Sequence, residues 1–173
     1  AEKNYRQAIK LRANYAEAHY NLGNVMVKLG KIVEAQNSYG EAIAIKPDLS
    51  AALISRGQLL FDQENFALAL NDFDLSNSED ARARALWTLY AQGKIREIYD
   101  RIRSQLEIDS NNIRTAAFSA FLSQTEKKET AHTFCNNPLD FIYYSNISNH
   151  LKNTQRFTEK LIKELLNMEN TWE

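Results

Sequence analysis

Residues 16–31 read AEAHYNLGNVMVKLGK and residues 32–49 read IVEAQNSYGEAIAIKPDL. Small residues (Ala18, Gly23, Gly30) stand at fixed offsets between bulky ones, and both halves carry apolar residues at helical spacing. The pattern predicts two antiparallel helices. Helices approach closely only where Gly or Ala occupies the contact, and bulky residues one turn away then fill the flanking grooves. Gly23 and Ala35 are the expected facing small positions, with Leu22, Met26 and Tyr39 as the filling. Gly30 is placed to cap the first helix in the left-handed conformation, and Pro47 to stop the second.

With Ala16 counted as position 1, His19 falls at 4, Leu22-Gly23 at 7–8, Met26 at 11, Ala35 at 20, Tyr39 at 24, Ala42 at 27 and Pro47 at 32. This resembles the tetratricopeptide repeat, a unit of about 34 residues with the pattern W-x2-L-G-x2-Y, then A-x3-F, then P. His19 stands in the place of the Trp and Met26 in that of the Tyr, while the small positions and the proline agree.

The template runs on. Ser50 restarts it, with Leu53, Gly57, Leu60, Ala69 and Phe73 at positions 4, 8, 11, 20 and 24, before the second helix is cut short at Ser76-Asn77-Ser78. Aligning Gly93 with Gly30 starts a degenerate third unit at Glu79, carried by Ala85, Leu86, Leu89, Ile98 and Ile102. The opening AEKNYRQAIKLRANY has Ala1, Tyr5 and Ala8 at positions 20, 24 and 27, a second helix without its first. The expected organisation is therefore a half repeat over 1–15, repeats over 16–49, 50–78 and 79–112, and a degenerate helix over 112–124. Together these make a repeat region of 1–125, followed by a non-repeat segment over 126–173. The resemblance implies an all-α fold, a right-handed superhelix of antiparallel helix pairs. An uncapped second helix at the start would expose an apolar side, so further repeats are expected before Ala1, and the open repeat ends offer a route to homo-oligomers.

Composition agrees with a helical chain and narrows the partners. Among 173 residues there are five Gly and two Pro, leaving long uninterrupted stretches. The net charge is −1, from 21 basic and 22 acidic residues interspersed, which argues against a nucleic-acid partner. No apolar run approaches the ~18 residues of a membrane span, so no membrane partner is expected. The single cysteine, Cys135, has no internal disulfide partner, and a reducing cytoplasm is the expected compartment.

The last third reads differently. TEKKETAHTFCNNP, ending at Pro138, predicts a short helix to about Asn136-Asn137; LDFIYYSNIS predicts a strand; and Phe157, Leu161, Leu165 and Met168 mark an amphipathic helix capped by Asn153 or Thr154. This order is similar to the lead-in of a group of 2-oxoglutarate/iron-dependent oxygenases that carry tetratricopeptide repeats. The iron ligands of that family, H-x-D/E and a distant His, have no counterpart, because His19, His132 and His150 are followed two residues later by Asn21, Phe134 and Lys152. The resemblance implies a catalytic domain beyond Glu173, and no catalytic set within 1–173.

Tetratricopeptide arrays bind extended peptides or helices on a concave face lined by the first helix of each unit, at positions 2, 5, 9, 12 and 13. On this chain the resemblance places the groove at Tyr20, Asn24, Lys28, Gln58, Phe61, Trp87, Tyr90 and Phe121, an aromatic and nearly uncharged row with a protein or peptide ligand as its implied partner. The family's Lys/Arg carboxylate clamp is absent, since Tyr20, Ala51 and Ser55 occupy its positions although Asn24 matches its Asn. Its Asn ladder at position 6 is reduced to Asn21, followed by Ser55, Arg84 and Phe118. His132-x2-Cys135 supplies two metal ligands where a closed zinc site needs four, so no metal or other cofactor is expected.

Overall fold

A computed structural model describes residues 1–76, 78–108 and 112–132. Among these residues there are eight helices and no strand: α1 (Glu2–Leu11), α2 (Ala16–Lys28), α3 (Ile32–Ile45), α4 (Ser50–Asp62), α5 (Phe66–Ser76), α6 (Glu79–Ala91), α7 (Ile95–Ile108) and α8 (Ile113–Glu126). The pairs α2/α3, α4/α5 and α6/α7 are helical hairpins, and each leans on the next through α3/α4 and α5/α6. α8 lies directly against α6. The strand expected from LDFIYYSNIS and the amphipathic helix through Phe157 and Leu165 lie outside the described residues.

Each hairpin turns in the same way. Lys31 N–H bonds Met26 C=O at 2.9 Å, Asn65 N–H bonds Leu60 C=O at 2.8 Å and Lys94 N–H bonds Leu89 C=O at 3.0 Å, satisfying carbonyls that a helix end otherwise leaves open. The residue before the donor takes positive φ: Gly30 at 71°, Glu64 at 62° and Gly93 at 69°. The middle turn thus holds a non-glycine in a conformation that costs an L-residue about 1–2 kcal/mol.

The close approach within the hairpins places an aromatic ring against the small residue of the first helix. A methyl built on Gly23 would stand 2.5 Å from the ring of Tyr39, and one on Gly57 would stand 2.7 Å from the ring of Phe73. The glycine therefore opens space for the aromatic ring four residues after the alanine. Tyr39, Phe73, Ala35 and Ala69 are all buried. In the third hairpin the corresponding positions hold Leu86 and Ile102, both buried in one core cluster. Gly with a ring and Leu with Ile are two solutions to one volume, as close packing requires.

Three core clusters follow the hairpins. Leu22, Met26, Ala35, Tyr39 and Leu59 form the first, Ala69, Phe73, Ala81 and Ala85 the second, and Leu86, Leu89, Ile98, Ile102, Phe118 and Leu122 the third. The apolar side of α1 expected to stay open is partly used: Tyr5 and Ile9 pack on the first cluster, while Leu11 remains exposed. α8 runs two residues past the expected 112–124, and Lys127 ends it in the left-handed conformation. Residues 127–132 are therefore turn and irregular chain, not the start of the short helix predicted toward Asn136.

Polar ties fix the layers. His19 sits where Trp is usual, and its Nε2 donates to the Ala13 carbonyl at 3.0 Å, closing the α1–α2 loop. Arg56 on α4 makes a two-pronged ion pair with Asp72 on α5, at 2.7 and 2.6 Å, and Asp72 is buried. Asn112 caps α8 by accepting from the Arg114 and Thr115 amides at 3.1 Å, and its own amide donates to the Glu79 carbonyl at 3.2 Å. One buried side chain thus fastens the starts of α6 and α8 together.

Candidate functional site

The first helices α2, α4, α6 and α8 carry the eight groove candidates, and their character changes along the chain. On α2, Tyr20 is half-buried, its ring 5.9 Å from that of Tyr39 and packed on the first cluster. Asn24 accepts a 2.7 Å hydrogen bond from the Tyr39 hydroxyl. Burial pushes the Tyr39 phenol up, so it stays protonated and donates at neutral pH. Asn24 is half-buried, and Lys28 at the helix end is exposed.

On α4, Gln58 Nε2 donates to Asp62 at 2.7 Å, and Gln58 Oε1 accepts from Arg84 of α6. Arg84 Nε in turn donates to Asp80 at 2.8 Å, and Asp80 also receives Arg114 of α8. Asp62, Gln58, Arg84, Asp80 and Arg114 form a polar chain across three first helices. Phe61 packs on the second cluster and meets Phe66 edge-on at 5.3 Å. Gln58, Phe61, Arg84 and Trp87, with Phe73 among the lining residues, enclose a cavity of about 270 Å3.

Four rings gather on α6 and α8. Trp87 lies 4.8 Å from Phe118, 5.1 Å from Phe121 and 6.1 Å from Tyr90, and Tyr90 lies 5.3 Å from Phe121. Most of these contacts are edge-to-face, the arrangement that the ring quadrupole favours. Phe118 is buried beneath, Tyr90 is half-buried, and Trp87 and Phe121 are 46% and 38% exposed. Phe118 anchors the cluster in the core and leaves its two outer rings facing solvent.

The structure thus brings Gln58, Phe61, Trp87, Tyr90 and Phe121 into one continuous region, while Tyr20 and Asn24 both contact Tyr39 of α3. Sequence reasoning missed three participants. Phe118 and Arg84 occupy position 6, considered only for an Asn ladder, and Phe73 occupies position 24, considered only as core. The signal was available: position 6 points toward the neighbouring hairpin. Among the described residues no group of three or more His, Cys, Asp or Glu side chains is placed to hold a metal ion, and Cys135 lies outside them. No described helix is long and apolar enough to cross a membrane.

Comparison with known proteins identifies the architecture. Residues 1–30 match a family model described as TPR repeat, and residues 16–49 match the tetratricopeptide repeat model. Among solved structures, MamA aligns with a TM-score of 0.60 at 15% identity, over 73% of this chain and 77% of its own. YrrB, described as a TPR protein with an unusual peptide-binding site, aligns with 0.59 at 14% identity, over 73% and 68%. The first TPR of Spaghetti (RPAP3), bound to the HSP90 peptide SRMEEVD, aligns with 0.54 at 24% identity, over 65% and 94%. No curated protein matches the sequence. Tetratricopeptide repeats are therefore present at the start of the chain, and the whole described fold is an all-α array of helical hairpins. The resemblance to oxygenases rests on residues outside the described part and finds no support in these comparisons.

Proposed function

We propose that this chain is a protein–protein interaction module that binds a peptide or helix on the face formed by α4, α6 and α8. The observation that carries the reading is the four-ring cluster of Trp87, Tyr90, Phe118 and Phe121. It sits on a buried base, exposes its two outer rings and adjoins the cavity beside Phe61. Trp and Tyr are favoured anchors because they bury much area while ordering few torsions. Exposed large rings held in fixed orientation are preorganised for a partner, so little ordering cost remains at binding. Peptide complexes among similar folds support the same reading: RPAP3 was solved with an HSP90 peptide, and YrrB carries a peptide-binding site.

The test is a displayed library of random peptides selected on the full chain, followed by titration of the enriched peptides. Replacing Trp87 and Phe121 together by Ala should weaken binding by about tenfold or more, while the helical circular dichroism stays intact because both rings are solvent-facing. Unchanged affinity in that variant would refute the placement.

A further inference from the structure

The cavity between α4, α5 and α6 has a chemical character that narrows the partner further. Its ring walls come from Phe61 and Trp87, with buried Phe73 behind, and its two polar lining residues are already engaged with each other. The Gln58 amide is shared between Asp62 and Arg84, and Arg84 is held by Asp80. The ionised groups around it are Asp62, Asp80, Arg84 and Arg114. They comprise two of each sign, tied together through Gln58 and Asp80. Both guanidinium groups already share the Asp80 carboxylate, and the Gln58 amide bonds Asp62, so the charges at the rim are engaged among themselves and sum to zero. A charged group entering between the rings would lose hydration against an apolar wall. An uncharged apolar group gains contact with three rings and disturbs no existing bond. The cavity, about 270 Å3, has room for one large side chain.

We infer that this cavity is an anchor pocket for a single bulky apolar side chain (Leu, Ile, Met, Phe or Trp) of a partner peptide or helix, and that this site is not a reader of acidic peptides. The inference rests on the binding face proposed above and adds the chemistry of its occupant. Neutrality matched to neutrality decides the choice. It also sets this site apart from the acidic peptide SRMEEVD seen with RPAP3. Arg84 lines the pocket beside Trp87 while bonded to Gln58 and Asp80.

The same library selection tests this through the content of the selected peptides. The expected consensus fixes one large apolar residue, and its replacement by Asp in a synthetic peptide weakens binding by about tenfold or more. The affinity should be nearly unchanged between low and high salt, because no screened charge pair contributes. Phe61→Ala enlarges the pocket and should shift preference from Leu toward Trp at the fixed position, a change of selectivity that general destabilisation would not produce. A consensus with Asp or Glu at the fixed position, or an affinity falling steeply with salt, overturns the inference while leaving the binding face standing. An apolar consensus indifferent to both Phe61→Ala and Trp87→Ala overturns it too, because the peptide then sits elsewhere. Failure of any peptide to bind overturns the inference and the binding face together.

Discussion

Replacing Gly57 by Ala probes what holds each hairpin closed. The new methyl would stand 2.7 Å from Phe73 Cε1, and ordinary contact begins near 3.4 Å, so the ring must retreat by about 0.7 Å. Phe73 is 1% exposed, and its ring can make room only by giving up contacts in the second cluster. Overpacking of this kind costs about 1–3 kcal/mol, and the better helix propensity of Ala returns about 1 kcal/mol, for a net loss of up to about 2 kcal/mol. The third hairpin suggests the rescue, since it uses Leu86 and Ile102 at the same two positions. In a Phe73→Leu background the smaller side chain yields space, so Gly57→Ala should become neutral or stabilising. The coupling would then reach about 1 kcal/mol or more in a double-mutant cycle followed by urea denaturation. Gly40 is the control. Its added methyl meets only Arg56 Nη1 at 3.6 Å, so Gly40→Ala should stabilise by about 0.5–1 kcal/mol. Additive effects at Gly57 and Phe73, or equal gains at Gly57 and Gly40, would refute the argument.

Three further outcomes are expected. Arg56→Ala strands the buried carboxylate of Asp72 and should cost about 3 kcal/mol, while Arg56→Met with Asp72→Leu should recover most of that loss in the same denaturation assay. Glu64→Gly relieves the positive φ of 62° in the middle turn and should raise stability by up to about 1 kcal/mol, measured as a higher urea midpoint. Burial lowers the His132 imidazole below its usual 6.5, so its unfolded form takes up a proton first as pH falls. Stability from this group is fully present above pH 6.5 and drains away as pH drops through the lowered value, and His132→Gln should flatten that part of a melting-temperature profile.

The hairpins were readable because helical spacing, Gly30, Gly93 and the small positions are local signals, visible without knowing what lies opposite. Which ring lies against Gly23 and Gly57 was not readable. A one-dimensional pattern marks Gly23 and Ala35 as small, but only the helix crossing shows that the space beside Gly23 belongs to Tyr39. Glu64 hid its turn because glycine alone advertises positive φ. The aromatic row was legible as a row, yet the sorting of its members depended on depth. Tyr20 and Asn24 share the register of Trp87 and Phe121, and they differ because α2 has Tyr39 beside it while α6 rests on Phe118. The polar chain through Gln58, Arg84 and Asp80 links residues far apart in sequence, and no spacing rule announces it.

The central claim is that the face of α4, α6 and α8 receives the partner. It is tested most directly by amide hydrogen exchange of the full chain with and without a selected peptide. Added protection concentrated at the solvent-facing turns around Phe61, Trp87 and Phe121 is the predicted result. Protection confined instead to the separate cavity of about 460 Å3, lined by Gln36, Arg56, Leu68 and Asp72 among others, would contradict it.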